Sequence, residues 1–239
     1  KRKSMGVHEG NVTITGAGPS KTTLVYNGPG AVINIDNIIA ESGKEIDITI
    51  EGLTISGGEY GIAKMANVTV NDAKTISGTN FYVRTTHFKD YTRAGIYHFQ
   101  GACGSQLEQG RFISCTFEGG EYGIFYSGYS DKYLVYDCSF KNHSKGGVYF
   151  EHVANFQSGI YQSTFEDIDG YGVAILGGSS SGYGPYCYRV DNCTFTNVGN
   201  QTEPSIHLGY GWLGSLSNTT ISSTRNIYAA FKGNFSVVD

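Results

Sequence analysis

The amino-acid sequence predicts an all-β fold, a parallel β-helix of roughly eight to nine coils. A unit recurs along the chain, most plainly as RFISCTFEGGEYGIFY at 111–126 and YLVYDCSFKNHSKGGVYF at 133–150. Apolar and polar residues alternate within each unit, as in IDITI at 46–50, and this is the periodicity of a strand. No stretch offers a helical stripe of useful length.

Each unit has an anchor, which is an aromatic residue or isoleucine that follows Ser, Thr or His. The spacings between successive anchors are 33, 29, 23, 25, 30 and 26 residues. Most anchors are followed six or seven residues later by a glycine and a branched aliphatic residue. Units of this length that cannot bury their own apolar face are typical of a solenoid. The anchors are Ile55, Phe88, Phe117, Phe140, Phe165, Phe195 and Ile221, and the glycines are Gly61, Gly95, Gly123, Gly147 and Gly172.

The stretch ITGAGPSKTTL at 14–24, followed by repeated Asn-x-Thr strands, resembles the early coils of the right-handed β-helix superfamily. Pectate lyases, pectin methylesterases and phage tailspikes typify that superfamily. The resemblance covers most of the chain as a pattern of fold type, matches no single family's active site, and implies a right-handed solenoid. A β-sandwich is the alternative fold, but the one Asn-Gly pair, Asn27-Gly28, precedes a proline rather than a strand.

Composition sets the domain organisation and excludes several partners. We expect an exposed lead-in at 1–10 and a single β-helix domain at 11–239. The net charge of −4 gives no electrostatic footprint for nucleic acid, and no apolar run approaches membrane-spanning length. No cysteine spacing fits a zinc site, and we expect no metal and no cofactor. Because there is no initiator Met and neither terminus resembles a cap, we interpret the chain as a piece of a longer protein.

Alternation assigns two inward columns besides the anchors. One lies five residues before the anchors, and because five is odd, a bend or bulge must separate the two positions. The other lies two residues before the anchors and contains Cys115, Cys138, Ser163 and Cys193, for which free buried thiols are favoured over a disulfide. Cys103 and Cys187 lie near loops and are candidates for a disulfide. The apolar column is Val83, Phe112, Val135, Ile160, Val190 and Leu216.

Two surface features surround this interior. One residue after the anchors, Lys89, Glu118, Lys141 and Glu166 alternate in charge, which we interpret as a structural ladder that favours one register. Long polar excursions follow the glycine strands at 100–110, 127–132, 151–158 and 177–186. Each excursion leaves its coil at the same place, so together they should form a wall of loops, the edge that solenoids commonly use for binding.

A second outward column is mostly aromatic. Its members, each directly after an inward aliphatic residue, are Tyr97, Phe125, Tyr149, Ala174, His207 and Tyr228. An exposed aromatic stripe indicates a partner, and the apolar faces of sugar rings stack well on such platforms. We therefore predict that Tyr97, Phe125, Tyr149, His207 and Tyr228 bind a ligand. The alternative is that loops, or another copy of the chain in a trimeric spike, cover the stripe.

Seven Asn-x-Ser/Thr sequences have two interpretations. At Asn11, Asn67, Asn192 and Asn218 we interpret the pattern as a turn followed by a strand, because Asn tolerates a left-handed backbone. Three others, Asn142, Asn200 and Asn234, lie off that pattern and are the glycosylation candidates.

Catalytic candidates are few. A β-helix lyase needs a base and a cation or metal, and a glycoside hydrolase needs two carboxylates about 5 to 9 Å apart. Near the loop wall lie Glu108, Asp131, Glu151 and His152, and Glu151-His152 is the most suggestive pair because both side chains can reach the loop edge. No paired Asp-Asp and no Gly-His-Gly is present.

Three functions therefore follow from the sequence. The first is a glycan-recognising segment of an extracellular or virion-surface attachment protein, of the tailspike or adhesin kind, whose partner is a surface or extracellular polysaccharide. The second is a polysaccharide lyase, hydrolase or epimerase of the pectate lyase-like class. The third is a structural stalk in which the aromatic column is an oligomer interface, for example in a homotrimer.

Overall fold

The structure, a computed structural model, describes residues 11–36, 46–66, 79–100, 109–127, 132–151, 158–176, 188–223 and 227–238. Every regular element within these ranges is a β-strand. The strands form a parallel β-solenoid of the right-handed type, and this confirms the all-β solenoid prediction. Over the same ranges the chain has no helix with the length and hydropathy needed to cross a membrane.

The strands follow one another in groups of three. In chain order they are β1 (Val12–Thr15), β2 (Thr23–Tyr26), β3 (Ala31–Asp36), β4 (Ile46–Glu51), β5 (Thr54–Gly57), β6 (Tyr60–Ala66), β7 (Thr79–Arg84), β8 (His87–Lys89), β9 (Ala94–Gln100), β10 (Gln109–Ile113), β11 (Thr116–Glu118), β12 (Tyr122–Ser127), β13 (Lys132–Tyr136), β14 (Ser139–Lys141), β15 (Gly146–Glu151), β16 (Ser158–Tyr161), β17 (Thr164–Ile168), β18 (Tyr171–Leu176), β19 (Tyr188–Asp191), β20 (Thr194–Val198), β21 (Ile206–Ser217), β22 (Thr220–Ser222) and β23 (Ile227–Val238).

Equivalent strands of successive coils pair in parallel and form three columns. The second column is a sheet of eight strands, in the order β2-β5-β8-β11-β14-β17-β20-β22. The first column begins β1-β4-β7-β10 and the third begins β3-β6-β9-β12, and both belong to one sheet of fifteen strands. They are joined because the long strand β21 pairs with β18 through its first part and with β19 through its second.

The anchors lie in exact register in the second column and point into the core. Five phenylalanines, Phe88, Phe117, Phe140, Phe165 and Phe195, stack with ring centroids 4.6 to 4.9 Å apart and planes within 5° of parallel. All five are at most 1% exposed. Since the rungs of a parallel sheet are about 4.8 Å apart, each ring fills the interior of one coil and contacts the rings above and below.

The recurring glycines make room for these rings. A Cβ at Gly95 would lie 2.6 Å from Cδ1 of Phe117, and a Cβ at Gly172 would lie 2.7 Å from Cδ1 of Phe195. In both cases the ring belongs to the next coil. Ser205 takes the glycine position where the next anchor is Ile221, which has no ring. The glycine is therefore tied to an aromatic anchor in the following coil.

The bend expected between the apolar column and the anchors is present. It is formed by residues with positive φ between 46° and 69°, one in each coil from the second onward. The apolar column lies in register and is buried, with at most 5% exposure. The bend residues are Gly52, Thr85, Ser114, Asp137, Gln162, Asn192 and Asn218.

From the third coil onward, the side chain of the residue after this bend donates a hydrogen bond to a backbone carbonyl. Thr86 Oγ1 donates to the carbonyl of Arg84 over 2.9 Å, and Cys115 Sγ donates to the carbonyl of Ile113 over 3.3 Å. The buried thiols Cys115, Cys138 and Cys193 are free, as the sequence predicted. Thr, Cys and Ser are interchangeable in this column because each is a small donor that reaches the carbonyl two residues earlier.

A second bend, between the second and third columns, was not identified from the sequence. Its left-handed residues are Asp90, Gly119, Asn142, Asp167 and Asn197, with φ between 53° and 84°. Side chains join this bend to neighbouring coils, as in the 2.9 Å hydrogen bond from Asn197 Nδ2 to Asp167 Oδ1. Asn and Asp suit these positions because they tolerate the left-handed region.

The predicted charge ladder is in register on the outside of the second column. Glu118 pairs with Lys141, and Lys141 pairs with Glu166 across the strands. Only the second of these pairs closes as an ion pair, at 3.0 Å between Lys141 Nζ and Glu166 Oε1. Both side chains are near half exposure, so the pair contributes little to stability, about 0 to 1 kcal/mol.

The excursions all begin and end at one corner. The strands that flank them show that the chain leaves the third column and returns to the first each time, as from β9 to β10 and from β15 to β16. Strand β21 turns the same corner without an interruption. Most residues of the excursions lie outside the described residues, and so do Cys103 and Cys187.

We predict that Gly172→Ala lowers the stability of the fold by about 2 kcal/mol because the new methyl group overpacks against the Phe195 ring. Phe195→Ile, which copies the anchor beside Ser205, should relieve that clash. The cost of the double variant should therefore fall below the sum of the single costs by about 1 kcal/mol. Urea denaturation of all four proteins measures this coupling, and strict additivity would contradict the proposed fit of ring and glycine.

We predict that the three buried thiols do not react in the native protein. Burial raises the pKa of the Cys138 thiol well above its usual value and that of Cys193 to about 11, and it is the thiolate that reacts. In a Cys103→Ser/Cys187→Ser variant, a disulfide-exchange reagent should label no thiol within minutes in buffer and three in denaturant. Rapid labelling in buffer would show that the column opens.

A buried imidazole should make the fold sensitive to acid. His143 is 1% exposed, with Nδ1 against the carbonyl of Gly119 and Nε2 without a partner in the described part of the protein. Burial lowers its pKa from 6.5 to about 4. The unfolded chain therefore binds the proton first, and stability falls as pH drops from about 6.5 to about 4.

The free energy of unfolding should fall by about 3 kcal/mol over that pH range. We predict that His143→Leu removes this part of the pH dependence, whatever its effect on stability at neutral pH. Denaturation curves at pH 7, 5.5 and 4 for both proteins measure it. If the free energy of unfolding of the variant falls with pH as steeply as that of the unsubstituted protein, other groups cause the acid sensitivity.

Candidate functional site

The aromatic stripe predicted from the sequence is a continuous ladder on the outside of the third column. Tyr97 pairs with Phe125, and Phe125 pairs with Tyr149 in adjacent strands. The same position continues through Ala174 and His207 to Tyr228. We use "the stripe" for these six residues.

The rings of the stripe stack on one another. The centroids of Tyr97 and Phe125 are 5.2 Å apart at 12°, and those of Phe125 and Tyr149 are 5.1 Å apart at 5°. Near-parallel rings at this spacing cover much of each other's faces. The surface of the stripe is therefore built mainly from ring edges and tyrosine hydroxyls, whereas the sequence had suggested free aromatic faces.

A second row of aromatic residues flanks the stripe. Tyr60, Tyr122 and Tyr171 occupy the position just before the core glycines, and Ala94 and Gly146 alternate with them. The Tyr122 ring lies 5.2 Å from Phe125 and 5.6 Å from Tyr149 at tilted angles. The sequence did not lead us to predict this row, although the residue before each core glycine alternates between tyrosine and a small residue.

Exposure varies along the stripe. Tyr97, Phe125, Tyr149 and His207 are half-buried, and Tyr228 is 55% exposed. Ala174, which alternation places on the outside, is fully buried. The stripe is thus interrupted at one coil, with three stacked rings on one side and the edge-on contact of His207 and Tyr228, at 4.7 Å, on the other.

Charged residues line the beginning of the strands that carry the stripe. Successive backbone hydrogen bonds align Glu59, Arg93, Glu121 and Lys145 in a column. Lys145 Nζ lies 2.9 Å from Glu121 Oε1, and Arg93 Nε lies 3.9 Å from Glu121 Oε2. The Arg93 guanidinium also lies 5.5 Å from the centre of the Tyr60 ring, within cation–π range.

Four tyrosines of this surface, Tyr97, Tyr122, Tyr149 and Tyr171, have raised pKa values and stay protonated at neutral pH. Burial, and then the nearby Glu151 carboxylate, raise the pKa of Tyr149 to about 12. Burial is also the first cause of the raised pKa values of Tyr122 and Tyr171. Their hydroxyls can therefore donate and accept hydrogen bonds. Burial lowers the pKa of His207, so its imidazole is neutral as well.

Only one catalytic candidate from the sequence can be placed. Glu151 ends β15, two residues after Tyr149, and Ser127 Oγ lies 3.3 Å from its Oε2. His152, Asp131 and Glu108 lie outside the described residues. Glu203, which sequence reasoning did not single out, lies beside Tyr171, because a Cβ at Gly170 would come 3.0 Å from its Oε2. Within the described ranges no three His, Cys, Asp or Glu side chains cluster as a metal site would require.

The Asn-x-Ser/Thr sequences fall mostly at turns. Asn192 and Asn218 have φ of 52° and 48°, as their interpretation as turn residues expects. Asn142, a glycosylation candidate, occupies the second bend with φ of 61°. The side-chain oxygen of Asn200 accepts from the backbone N–H groups of Thr202 and Glu203, at 2.8 and 2.9 Å. Asn67 and the side chain of Asn234 are not among the described groups, and glycosylation stays a prediction.

Two cavities lined by described residues are small. One lies between the first and third columns against Lys64, His98 and Tyr126, and the other is lined by residues of the first coils, among them Ile14 and Ile35. Each has a volume of about 20 Å³, which is room for a single water. Neither can take a sugar. The exposed aromatic ladder makes the third column the candidate site.

No protein-family model matches the chain, and no curated protein matches it either. The function must therefore be argued from the chemistry of this surface.

Proposed function

We propose that the outer face of the third column recognises a glycan. The observation that carries the proposal is the ladder Tyr97, Phe125 and Tyr149, which is regular at about one ring per coil and only half-buried. Ring edges provide apolar contact, and the neutral hydroxyls of Tyr97 and Tyr149 lie near charged groups, Arg93 for Tyr97 and Glu151 for Tyr149. This combination suits a ligand with alternating C–H and hydroxyl groups.

Repetition favours an extended ligand over a compact one. Equivalent side chains recur at each coil along the solenoid, and such long surfaces are what repeat proteins use for binding. A polysaccharide repeats on a comparable scale. We propose that the protein is an extracellular or virion-surface attachment segment of the tailspike or adhesin kind, within the right-handed β-helix superfamily.

A second candidate function is polysaccharide cleavage or epimerisation. Glu151 favours it, because this carboxylate lies at the end of the strand that carries Tyr149. A hydrolase would need a second carboxylate at a suitable distance, and Glu203 on the same face is available for that role. A lyase would need a cation to neutralise the substrate carboxylate, and Arg93 and Lys145 are already engaged by Glu121.

We predict that Phe125→Ala and Tyr149→Ala each weaken glycan binding about tenfold or more, the effect of removing a buried aromatic contact. Tyr136→Ala is the matched control. That tyrosine is 37% exposed but belongs to the outside of the first column. Binding to a glycan array, followed by titration of the strongest oligosaccharide, measures the effect, and circular dichroism checks that the fold is kept.

The assay should record products as well as binding. Shortened or unsaturated chains that disappear in Glu151→Gln would make the enzymatic function primary. Equal binding by Tyr149→Ala and the unsubstituted protein would contradict the proposed surface. A change of oligomeric state in Tyr149→Ala, without glycan binding by either protein, would identify the stripe as an interface between copies in a stalk.

A further inference from the structure

Carboxylates outnumber cations around the stripe. The described charged residues on this face are Glu59, Arg93, Glu121, Lys145, Glu151 and Glu203. Four are acidic and two are basic. Glu151 and Glu203 both contribute to the raised pKa values of Tyr122 and Tyr149. The field over the central rings is therefore negative.

The two cations among the described side chains of this face already have partners. Lys145 and Arg93 approach the two oxygens of Glu121 from either side, at 2.9 and 3.9 Å. Arg93 also covers the Tyr60 ring. A ligand carboxylate would compete with Glu121 for either cation. Because both cations are about half exposed, the gain from such an exchange is small.

From this charge distribution we infer that the stripe selects uncharged glycans and rejects uronates and sialylated chains. The inference rests on the proposed glycan function and names its substrate class. Carboxylates beside a sugar accept hydrogen bonds from its hydroxyls, and this favours neutral sugars. The same carboxylates repel a sugar acid at short range. An acidic substrate, which a pectate lyase would require, does not fit this surface.

The test compares sugars that differ only in charge. A glycan array that contains neutral, uronate and sialylated chains is probed first. Two matched sets follow: β-1,4-glucan hexaose with its C6-oxidised uronate, and galacturonate hexaose with its methyl ester. We expect the free uronate of each set to bind at least about tenfold more weakly than its neutral counterpart at low salt, with a smaller difference at high salt.

Variants assign the effect to the face. Glu203→Gln should reduce the preference for the neutral form about threefold, because one of the repelling charges is removed. Glu166→Gln, on the outside of the second column, is the matched control and should leave the preference unchanged. A preference that is the same in Glu203→Gln and Glu166→Gln would overturn the assignment to this face.

Two negative results are distinguishable. If a uronate binds as well as its methyl ester, the charge inference is overturned while the glycan function stands. If nothing on the array and neither matched set binds, the proposed function fails and the inference falls with it.

Discussion

The fit between a phenylalanine ring and a glycine one coil earlier is the constraint on which the rest of the structure depends. The ring fills the space between successive coils and packs directly against the glycine Cα, as Phe117 does against Gly95. Where the anchor is Ile221, a side chain returns at Ser205. A slip by one residue would place a Cβ in every ring, so this contact locks the register of the coils.

Register in the core fixes the register of the surface. Two residues after the core glycine is always the outward position of the third column, so Tyr97, Phe125 and Tyr149 must align once Gly95, Gly123 and Gly147 do. Their stacking at 5.1 to 5.2 Å follows from the spacing of paired parallel strands and needs no additional side-chain packing to set it. The stripe is thus a consequence of the repeat combined with the choice of residue at one position.

Spacing within one unit of the sequence predicted the inward columns of the core, but two other features were missed. Alternation identified the inward column of Val83 and Phe112 and the free thiol of Cys115, because each depends on spacing within a unit. The second bend, at Asn142, was missed although Asn, Asp or Gly stands two residues after each phenylalanine anchor, a residue type that indicates a left-handed backbone. The row of Tyr122 was missed because its partners, Ala94 and Gly146, are small and become meaningful only across coils.

The aromatic ladder is not required by the fold. The same outward position is occupied by Asn34, Ala63 and Ala174 in other coils, and strand pairing there continues in unbroken register. Stacked rings add stability of about 0.5–1.5 kcal/mol per pair, but the core phenylalanines already hold these coils together. Three large, half-exposed rings at a position where alanine suffices are costly to leave in water. Tyr149 lies near Glu151, and a half-buried aromatic ladder at a position that the fold leaves free supports the proposed role of this face in binding.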